Sequence, residues 1–217
     1  MIKHTQNSLD ITRFISENIN NQSFHHHYHI LYDIALTYPQ DKEITYVEIG
    51  CYAGGSACLM LQRPNTKVIS IDLGQPISPE IVHFNVNKLN KHNNYYQYLQ
   101  GDSQTQDMVN NLKNLTDDID ILFIDGDHSY QSVINDFILY EGLVKKGGYI
   151  VFDDYHDVGC PGTKIAIDEI VINVKDRFKI IGLLPNIFGA RPDTLLEGND
   201  CIINNLKMLW VPIIIMI

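Results

Sequence analysis

From residue 43 onward, short runs of β-branched and other apolar residues alternate with segments of helical periodicity. The runs fall at residues 44–49, 67–71, 95–100, 119–124 and 149–152, with two further runs at 178–184 and 200–206. Such runs are typical of buried strands, and their alternation with helices is typical of a mostly parallel sheet. The sequence therefore predicts an α/β fold in which helices cover both faces of the sheet.

Two helices are predicted ahead of the first strand. One runs from Ser8 to Asn20 with Ser8 as its N-cap, and the other runs from Phe24 to Tyr38 and ends before Pro39. The histidine-rich stretch at 25–29 is interpreted as a partly exposed helix start, with a metal cluster as the alternative. We expect a helical segment at 1–42, a main domain at 43–206 and an apolar tail at 207–217 that packs on the domain or on a second subunit.

Charge and composition exclude several classes of protein. The 217 residues carry a formal net charge of −10 and no stripe of Lys and Arg, so no nucleic acid partner is expected. No apolar stretch approaches the ~20 residues of a membrane span. The chain starts without the apolar segment of a signal peptide, and its four cysteines form no CxxC pair, which favours reduced thiols in a cytoplasmic protein.

Acidic residues follow two of the predicted strands directly. Asp125 follows the run at 119–124, and Asp153 and Asp154 follow the run at 149–152. Neighbouring parallel strands would deliver all three carboxylates to one edge of the sheet, where ligands bind in open α/β folds. Carboxylates packed together repel one another unless a cation joins them, so the pattern predicts a divalent metal site, with His128 close enough to act as a base.

A glycine-rich turn follows the first predicted strand. The stretch from Glu48 to Ser56 contains Gly50, Gly54 and Gly55, and the next strand ends at Asp72. Glycines let the backbone turn sharply and approach a ligand, the helix start offers free N–H groups, and an acid at this place can bind two ribose hydroxyls. This arrangement predicts a nucleoside-containing ligand, although the spacing departs from the GxGxxG of nicotinamide-binding proteins.

Together these motifs resemble those of class I S-adenosylmethionine-dependent methyltransferases. The resemblance continues through Gly101-Asp102-Ser103, through 123–128 and through 143–151, and it covers residues 43 to 206. Within that class the chain looks most like the metal-dependent small O-methyltransferases that include macrocin-type and cephalosporin hydroxylase-like proteins. The resemblance implies a Rossmann-like, doubly wound, seven-stranded, mostly parallel sheet with an antiparallel last strand. By analogy the helices at 1–42 form a lid or a dimer contact.

The resemblance also implies roles for individual residues. S-adenosylmethionine is the expected cofactor, with Mg²⁺ held by Asp125, Asp153 and Asp154 and His128 as the catalytic base. The acceptor is expected to be a hydroxyl of a sugar or another small molecule. The residues expected to bind the cofactor are Glu48, Gly50, Gly54, Ser56, Asp72, Gly101, Asp102, Ser103 and Asp125.

Other interpretations of these residues remain open at this point. Asp102 could be a turn residue, Asp153 or Asp154 could cap the following loop, and Asp125 could contact only the cofactor. His128 could cap a helix. For the whole chain the alternatives are a nicotinamide-dependent oxidoreductase or a non-catalytic nucleoside-binding protein of the same fold, and methylation of nucleic acid bases is disfavoured by the acidic charge.

Overall fold

A computed structural model describes residues 5–21, 28–155, 157–174, 176–186 and 209–216, with side chains as far as residue 178. The helices and strands occur in the following order: α1 Gln6–Asn18, α2 His29–Ala35, β1 Ile44–Ile49, α3 Gly55–Met60, β2 Thr66–Asp72, α4 Pro79–Leu89, β3 Tyr96–Gln100, α5 Gln106–Lys113, β4 Ile119–Ile124, α6 Tyr130–Tyr140, β5 Val144–Phe152, α7 Pro161–Val174, β6 Phe178–Asn186 and β7 Leu209–Met216.

Strands β1 to β5 pair in parallel in the spatial order β3-β2-β1-β4-β5. The order reverses between β1 and β4, which is the switch point at which open α/β sheets bind ligands. Residues of β1 and β4 are buried throughout, as expected of central strands covered on both faces. This parallel five-stranded sheet with alternating helices confirms the predicted Rossmann-like α/β class.

Two hydrophobic cores lie on opposite faces of the sheet. One joins the sheet to apolar residues of α1 to α4, among them Ile15, Ile34 and Leu59. The other joins it to α5, α6 and α7 through residues such as Leu112, Phe137 and Ile167. The N-terminal helices are thus packed into the same core as β1, and helices cover both faces as the sequence predicts.

The ends of some elements differ from the predicted ones. Helix α1 is capped by Thr5, whose hydroxyl accepts from the N–H of Ser8, so the prediction of Ser8 as the cap was wrong. Ser8 is instead buried in the first turn. The sequence around both residues contains suitable caps, and only packing against Asp33, which accepts from the N–H of Thr5, selects between them.

Strands β6 and β7 form the C-terminal part of the sheet. Strand β7 pairs antiparallel with β5 and with β6. The last predicted strand, at 200–206, lies outside the described residues, so the arrangement of seven strands with that antiparallel end stays a prediction. None of the described helices is both long enough and apolar enough to cross a lipid bilayer.

A row of backbone hydrogen bonds ties together the segments that leave the strands. The N–H of Gly101 donates to Asp72, that of Gly50 to Ile71, that of Asp125 to Ile49 and that of Asp153 to Ile124, with N···O distances of 2.8 to 3.1 Å. Each donor is the first residue past its own strand. Parallel pairing therefore continues one step beyond the sheet and places four loops side by side along its carboxyl edge.

Gly50 permits the closest approach in this row. Its φ is +82°, and a Cβ built on it would lie 2.0 Å from the carbonyl oxygen of Asp125. No residue with a side chain fits both constraints, because the left-handed conformation is costly and the clash is with backbone. The β1 and β4 loops can touch only because residue 50 is glycine.

Replacing Gly50 with Ala is expected to lower the free energy of unfolding by about 3 kcal/mol, because strain and backbone overlap act together. Urea denaturation would measure the change. Gly142→Ala is the matched control, since a Cβ there meets nothing within 4 Å. Equal denaturation midpoints for the two variants would contradict the packing described for Gly50.

Candidate active site

One cavity of about 840 Å³ lies along the carboxyl edge of the sheet. It is lined by most of the residues that the sequence singled out: Gly50, Asp72, Gly101, Asp102, Ser103, Asp125, His128 and Asp154. The other four, Glu48, Gly54, Ser56 and Asp153, are not among its lining residues. Loops that are far apart in the chain, such as those carrying Gly50 and Asp154, therefore line one cavity, as the row of strand-end hydrogen bonds requires.

Asp72 organises the glycine turn at one end of the cavity. One of its carboxylate oxygens accepts from the backbone N–H groups of Cys51 and Tyr52, at 2.8 and 3.2 Å, and the other accepts from Gly74 at 2.7 Å. Tyr52 itself has a φ of +48°. Asp72 thus holds a strained turn in shape and also lines the cavity, where its predicted contact with a ribose stays a prediction.

Glu48 lies beneath the turn and not on the cavity wall. It is fully buried and accepts hydrogen bonds from the hydroxyls of Tyr46, Ser56 and Ser70 at 2.5 to 2.9 Å. Burial raises the pKa of Glu48 to about 7, and the three hydroxyl donors oppose that rise. Three neutral donors therefore satisfy this buried carboxylate without a cationic partner, and its predicted contact with the cofactor stays a prediction.

The loop after β3 forms the next part of the wall. Asp102 accepts from the N–H of Gln104 at 2.8 Å, which is the turn role left open above. Ser103 donates from its hydroxyl to Asp136 of α6 at 2.7 Å and accepts at its carbonyl from Tyr140. Burial raises the pKa of Asp136 to about 6. The Ser103 side chain therefore points at α6, and its two hydrogen bonds anchor the loop after β3 to that helix.

The predicted metal carboxylates do converge. Asp125, Asp153 and Asp154 each present one oxygen within 4.8 Å of the others. Asp153 and Asp154 are buried, and burial followed by repulsion from Asp153 raises the pKa of Asp125 to about 7. The N–H of Asp154 donates to Asp153, and Asp154 has a φ of +54°. The three carboxylates repel one another when they are all ionised. Their oxygens form the kind of donor set that hard divalent cations prefer.

His128 lies against these carboxylates. Its Nε2 atom is 3.0 Å from an Asp154 oxygen and 3.7 Å from an Asp125 oxygen. Contacts first with Asp125 and then with Asp154 raise the pKa of His128 to about 11, although burial opposes the rise. The two carboxylates therefore favour the protonated, cationic form of this histidine.

Sequence reasoning missed Tyr28. Its hydroxyl donates to Asp125 at 2.9 Å, and its ring packs edge-on against Phe123 of β4, with 5.7 Å between the ring centroids. It lines the cavity and is only 3% exposed. Tyr28 stands next to the histidine-rich stretch, of which residues 25–27 lie outside the described part of the chain. No local pattern marks it, because its partner is 97 residues away.

Comparison with known proteins decides the family. Residues 47–155, which are half of the chain and run from β1 to just past β5, match the family described as "Methyltransferase domain". The chain belongs to this methyltransferase family. The match confirms the predicted resemblance to class I S-adenosylmethionine-dependent methyltransferases and argues against the oxidoreductase alternative.

The methyltransferase also resembles individual proteins. It is 42% identical over 189 residues to "Uncharacterized protein R132" of Acanthamoeba polyphaga mimivirus, which covers 82% of this chain and 84% of that protein. CalS11, a TDP-rhamnose 3'-O-methyltransferase of calicheamicin biosynthesis, superposes with a TM-score of 0.53 at 14% identity over 88% of this chain and 94% of CalS11. The methyltransferase MycE in complex with Mg and SAH gives 0.60 at 15% identity, covering 99% of this chain and 55% of MycE. At these identities the two structures support the fold alone.

Tyr28 provides a test of the carboxylate cluster in the methyltransferase. In Tyr28→Phe, Asp125 loses the donor that orients it, so Mn²⁺ is expected to bind about tenfold more weakly. Calorimetric titration with Mn²⁺ would measure the change. Tyr38→Phe is the matched control, because the hydroxyl of Tyr38 donates to the carbonyl of Asp120. Equal Mn²⁺ affinity in the wild type and in Tyr28→Phe would contradict an orienting role.

Glu48 is expected to make the stability of the methyltransferase depend on pH. Because its folded pKa of about 7 exceeds the unfolded value of 4.5, the folded state retains the proton. Stability from this group is full below the unfolded pKa and is lost as the pH rises through 7. In Glu48→Gln the fall in unfolding free energy from pH 5 to pH 8 should be smaller, by on the order of 3 kcal/mol.

Urea denaturation at the two pH values would measure that difference. Glu17→Gln, which changes an exposed carboxylate of α1, is the control and should reproduce the wild-type fall. An unchanged fall in Glu48→Gln would mean that Glu48 is ionised throughout this pH range.

Proposed function

We propose that the protein transfers a methyl group from S-adenosylmethionine to a hydroxyl oxygen of a small molecule or sugar, with assistance from Mg²⁺ and with His128 as base. The observation that carries this proposal is that one cavity is lined both by the glycine turn with Asp72 and by Asp125, His128 and Asp154. A methyl donor and a hard cation would therefore share one space, in which an acceptor oxygen could meet both.

The donor half of the cavity suits a nucleoside bearing a sulfonium. Gly50 lets the backbone approach the ligand, Asp72 lies where ribose hydroxyls are bound in this fold, and Asp102 is exposed on the wall for an adenine amino group. S-adenosylmethionine supplies a methyl group that is already activated, so the protein must chiefly align donor and acceptor. Glu48 and Ser56 would act from beneath the turn by fixing its shape.

The cation half fits Mg²⁺ by its donor chemistry. Asp125, Asp153 and Asp154 offer three carboxylate oxygens in reach of one another, and hard oxygen sets with room for water suit Mg²⁺. When bound, the cation supplies positive charge that stabilises a developing alkoxide and offsets the carboxylates that hold the proton on His128.

His128 would then take the acceptor proton at Nε2, the ring nitrogen that faces Asp125 and Asp154. The acceptor oxygen would form a bond to the methyl carbon as the carbon–sulfur bond breaks, and S-adenosylhomocysteine would leave. The proton passes from the hydroxyl to His128, which Asp154 stabilises as a cation. The chain would contribute to catalysis chiefly by aligning the methyl donor, the acceptor hydroxyl and His128 within one cavity.

The charge of the cavity restricts the acceptor. Six aspartates line it, at positions 72, 102, 125, 127, 154 and 157, whereas the described lining contains no lysine or arginine. A phosphate or carboxylate on the acceptor would be repelled, so a neutral or cationic hydroxyl compound fits best. MycE has been crystallised with Mg, SAH and mycinamycin VI, so a cation, SAH and a small molecule occur together in that complex.

The proposal extends to the organisation of the chain. We infer an N-terminal helical segment at 1–42, a methyltransferase domain at 43–206 with a seven-stranded sheet and an antiparallel last strand, and an apolar tail at 207–217 that packs on the domain through β7. The contact between Tyr28 and Asp125 supports a part for the N-terminal segment in closing the site. A second copy of the chain is a candidate partner, with the N-terminal helices as the contact.

The test of the proposal separates donor binding from chemistry. Calorimetry with S-adenosylmethionine, with and without MgCl₂, should show binding by the wild type and by His128→Ala with affinities within about twofold of each other. Methyl transfer to a panel of neutral glycosides should fall by about 10² to 10⁴ in His128→Ala, as removal of a general base requires. His92→Ala changes a histidine that contacts Gln62 away from the cavity and is the control.

Three outcomes would count against the proposal. Absence of S-adenosylmethionine binding would refute the donor assignment. Turnover that is unchanged in His128→Ala would remove His128 as the base, and turnover that is unaffected by a chelator would remove the cation.

A further inference from the structure

A second group of donor atoms lies beside the three carboxylates. The ring nitrogen of His128, a carboxylate oxygen of Asp154 and the sulfur of Cys160 all lie within 4.8 Å of one another. Asp154 belongs to both groups. Cys160 lines the cavity and has no part in the methyl transfer proposed above.

The fold fixes Cys160 against the His128 loop. Cys160 directly precedes α7, and its N–H donates to the carbonyl of Asp157 at 3.0 Å. One turn further on, the hydroxyl of Thr163 donates to the carbonyl of His128 at 3.2 Å. Between them, a Cβ on Gly162 would lie 2.6 Å from the backbone nitrogen of Tyr130. The start of α7 is therefore pressed onto the segment that carries His128, and the three donors have little freedom to separate.

The surroundings of these donors suit a cation. The Nε2 atom of His128 is shielded from solvent, and it lies 3.0 Å from an oxygen of Asp154 and 3.7 Å from an oxygen of Asp125. A metal ion would replace the proton of the thiol and that of the imidazole, and both would pass to solvent.

We propose that His128, Asp154 and Cys160 form a binding site for a borderline transition metal of the Zn²⁺ class, distinct from the all-carboxylate site but sharing Asp154 with it. A set of one nitrogen, one oxygen and one sulfur is the mixed donor set that Zn²⁺ and Co²⁺ prefer, whereas three carboxylates favour Mg²⁺ or Mn²⁺. Three protein ligands leave the fourth tetrahedral position to water.

The functional consequence rests on the proposed methyl transfer. Occupation of the mixed site would engage the imidazole of His128, the proposed base, and the carboxylate of Asp154, which the carboxylate site also uses. Zn²⁺ would therefore inhibit the reaction that Mg²⁺ supports, and the two ions would exclude each other. The identity of the bound metal, and not only its presence, would set the activity.

Titration of the metal-free protein with Co²⁺ tests the site directly, because a thiolate ligand gives Co²⁺ an intense near-ultraviolet charge-transfer band. The wild type should show the band. Cys160→Ser should lose it and bind Zn²⁺ at least about tenfold more weakly, while its Mn²⁺ affinity stays within about twofold. Cys51→Ser, which changes another cysteine of the cavity wall, is the control and should keep the band. Zn²⁺ should also displace Mn²⁺ from the wild type.

A wild type without the band, a band that survives in Cys160→Ser, or a band that is lost in Cys51→Ser would each overturn the assignment. Cys160→Ala repeats the test with a second side chain if the serine variant fails to fold. The two proposals fail separately. A Co²⁺ band in a protein that binds no Mn²⁺ would support the mixed site and refute the Mg²⁺-assisted reaction. Mn²⁺ binding without the band would refute the mixed site and leave the Mg²⁺-assisted reaction standing.

Discussion

The site depends on one row of backbone hydrogen bonds. Gly101, Gly50, Asp125 and Asp153 each donate to the last residues of the neighbouring strand, so four loops leave the sheet in register. A sheet of parallel strands offers this edge only where all of its strands end together. The contact of Gly50 with the Asp125 carbonyl tightens the row at the switch point between β1 and β4. The backbone alone therefore brings the residues at the starts of these four loops close together.

The same row forces like charges together, and much of the surrounding structure compensates for that. Tyr28 donates to Asp125, His128 contacts Asp125 and Asp154, and Asp154 donates its N–H to Asp153. Glu48 is relieved in a different way, by three hydroxyls in a fully buried pocket. Hydrogen-bond donors of the chain and the imidazole of His128 thus offset part of the negative charge in the cavity.

Sequence reasoning predicted the parallel core and the meeting of Asp125, Asp153 and Asp154, because strand periodicity and the position of a residue just past a strand are local signals. It did not predict that hydroxyls satisfy Glu48, since Ser70 meets it only once β1 and β2 lie side by side and Ser56 only once α3 packs on β1. It missed the places of Tyr28 and Cys160 on the cavity wall, since each reaches the cavity from a distant segment through packing alone. The cap of α1 was wrong for the same reason, because a contact with Asp33 selects Thr5.

The left-handed backbone at Asp154, with its φ of +54°, restricts which residues can stand there. Glycine and asparagine share this conformation with aspartate at little cost, whereas glutamate and the β-branched residues do not. Both of the tolerated replacements discard the negative charge. Any substitution of Asp154 therefore either removes the negative charge at this position or distorts the loop that carries it.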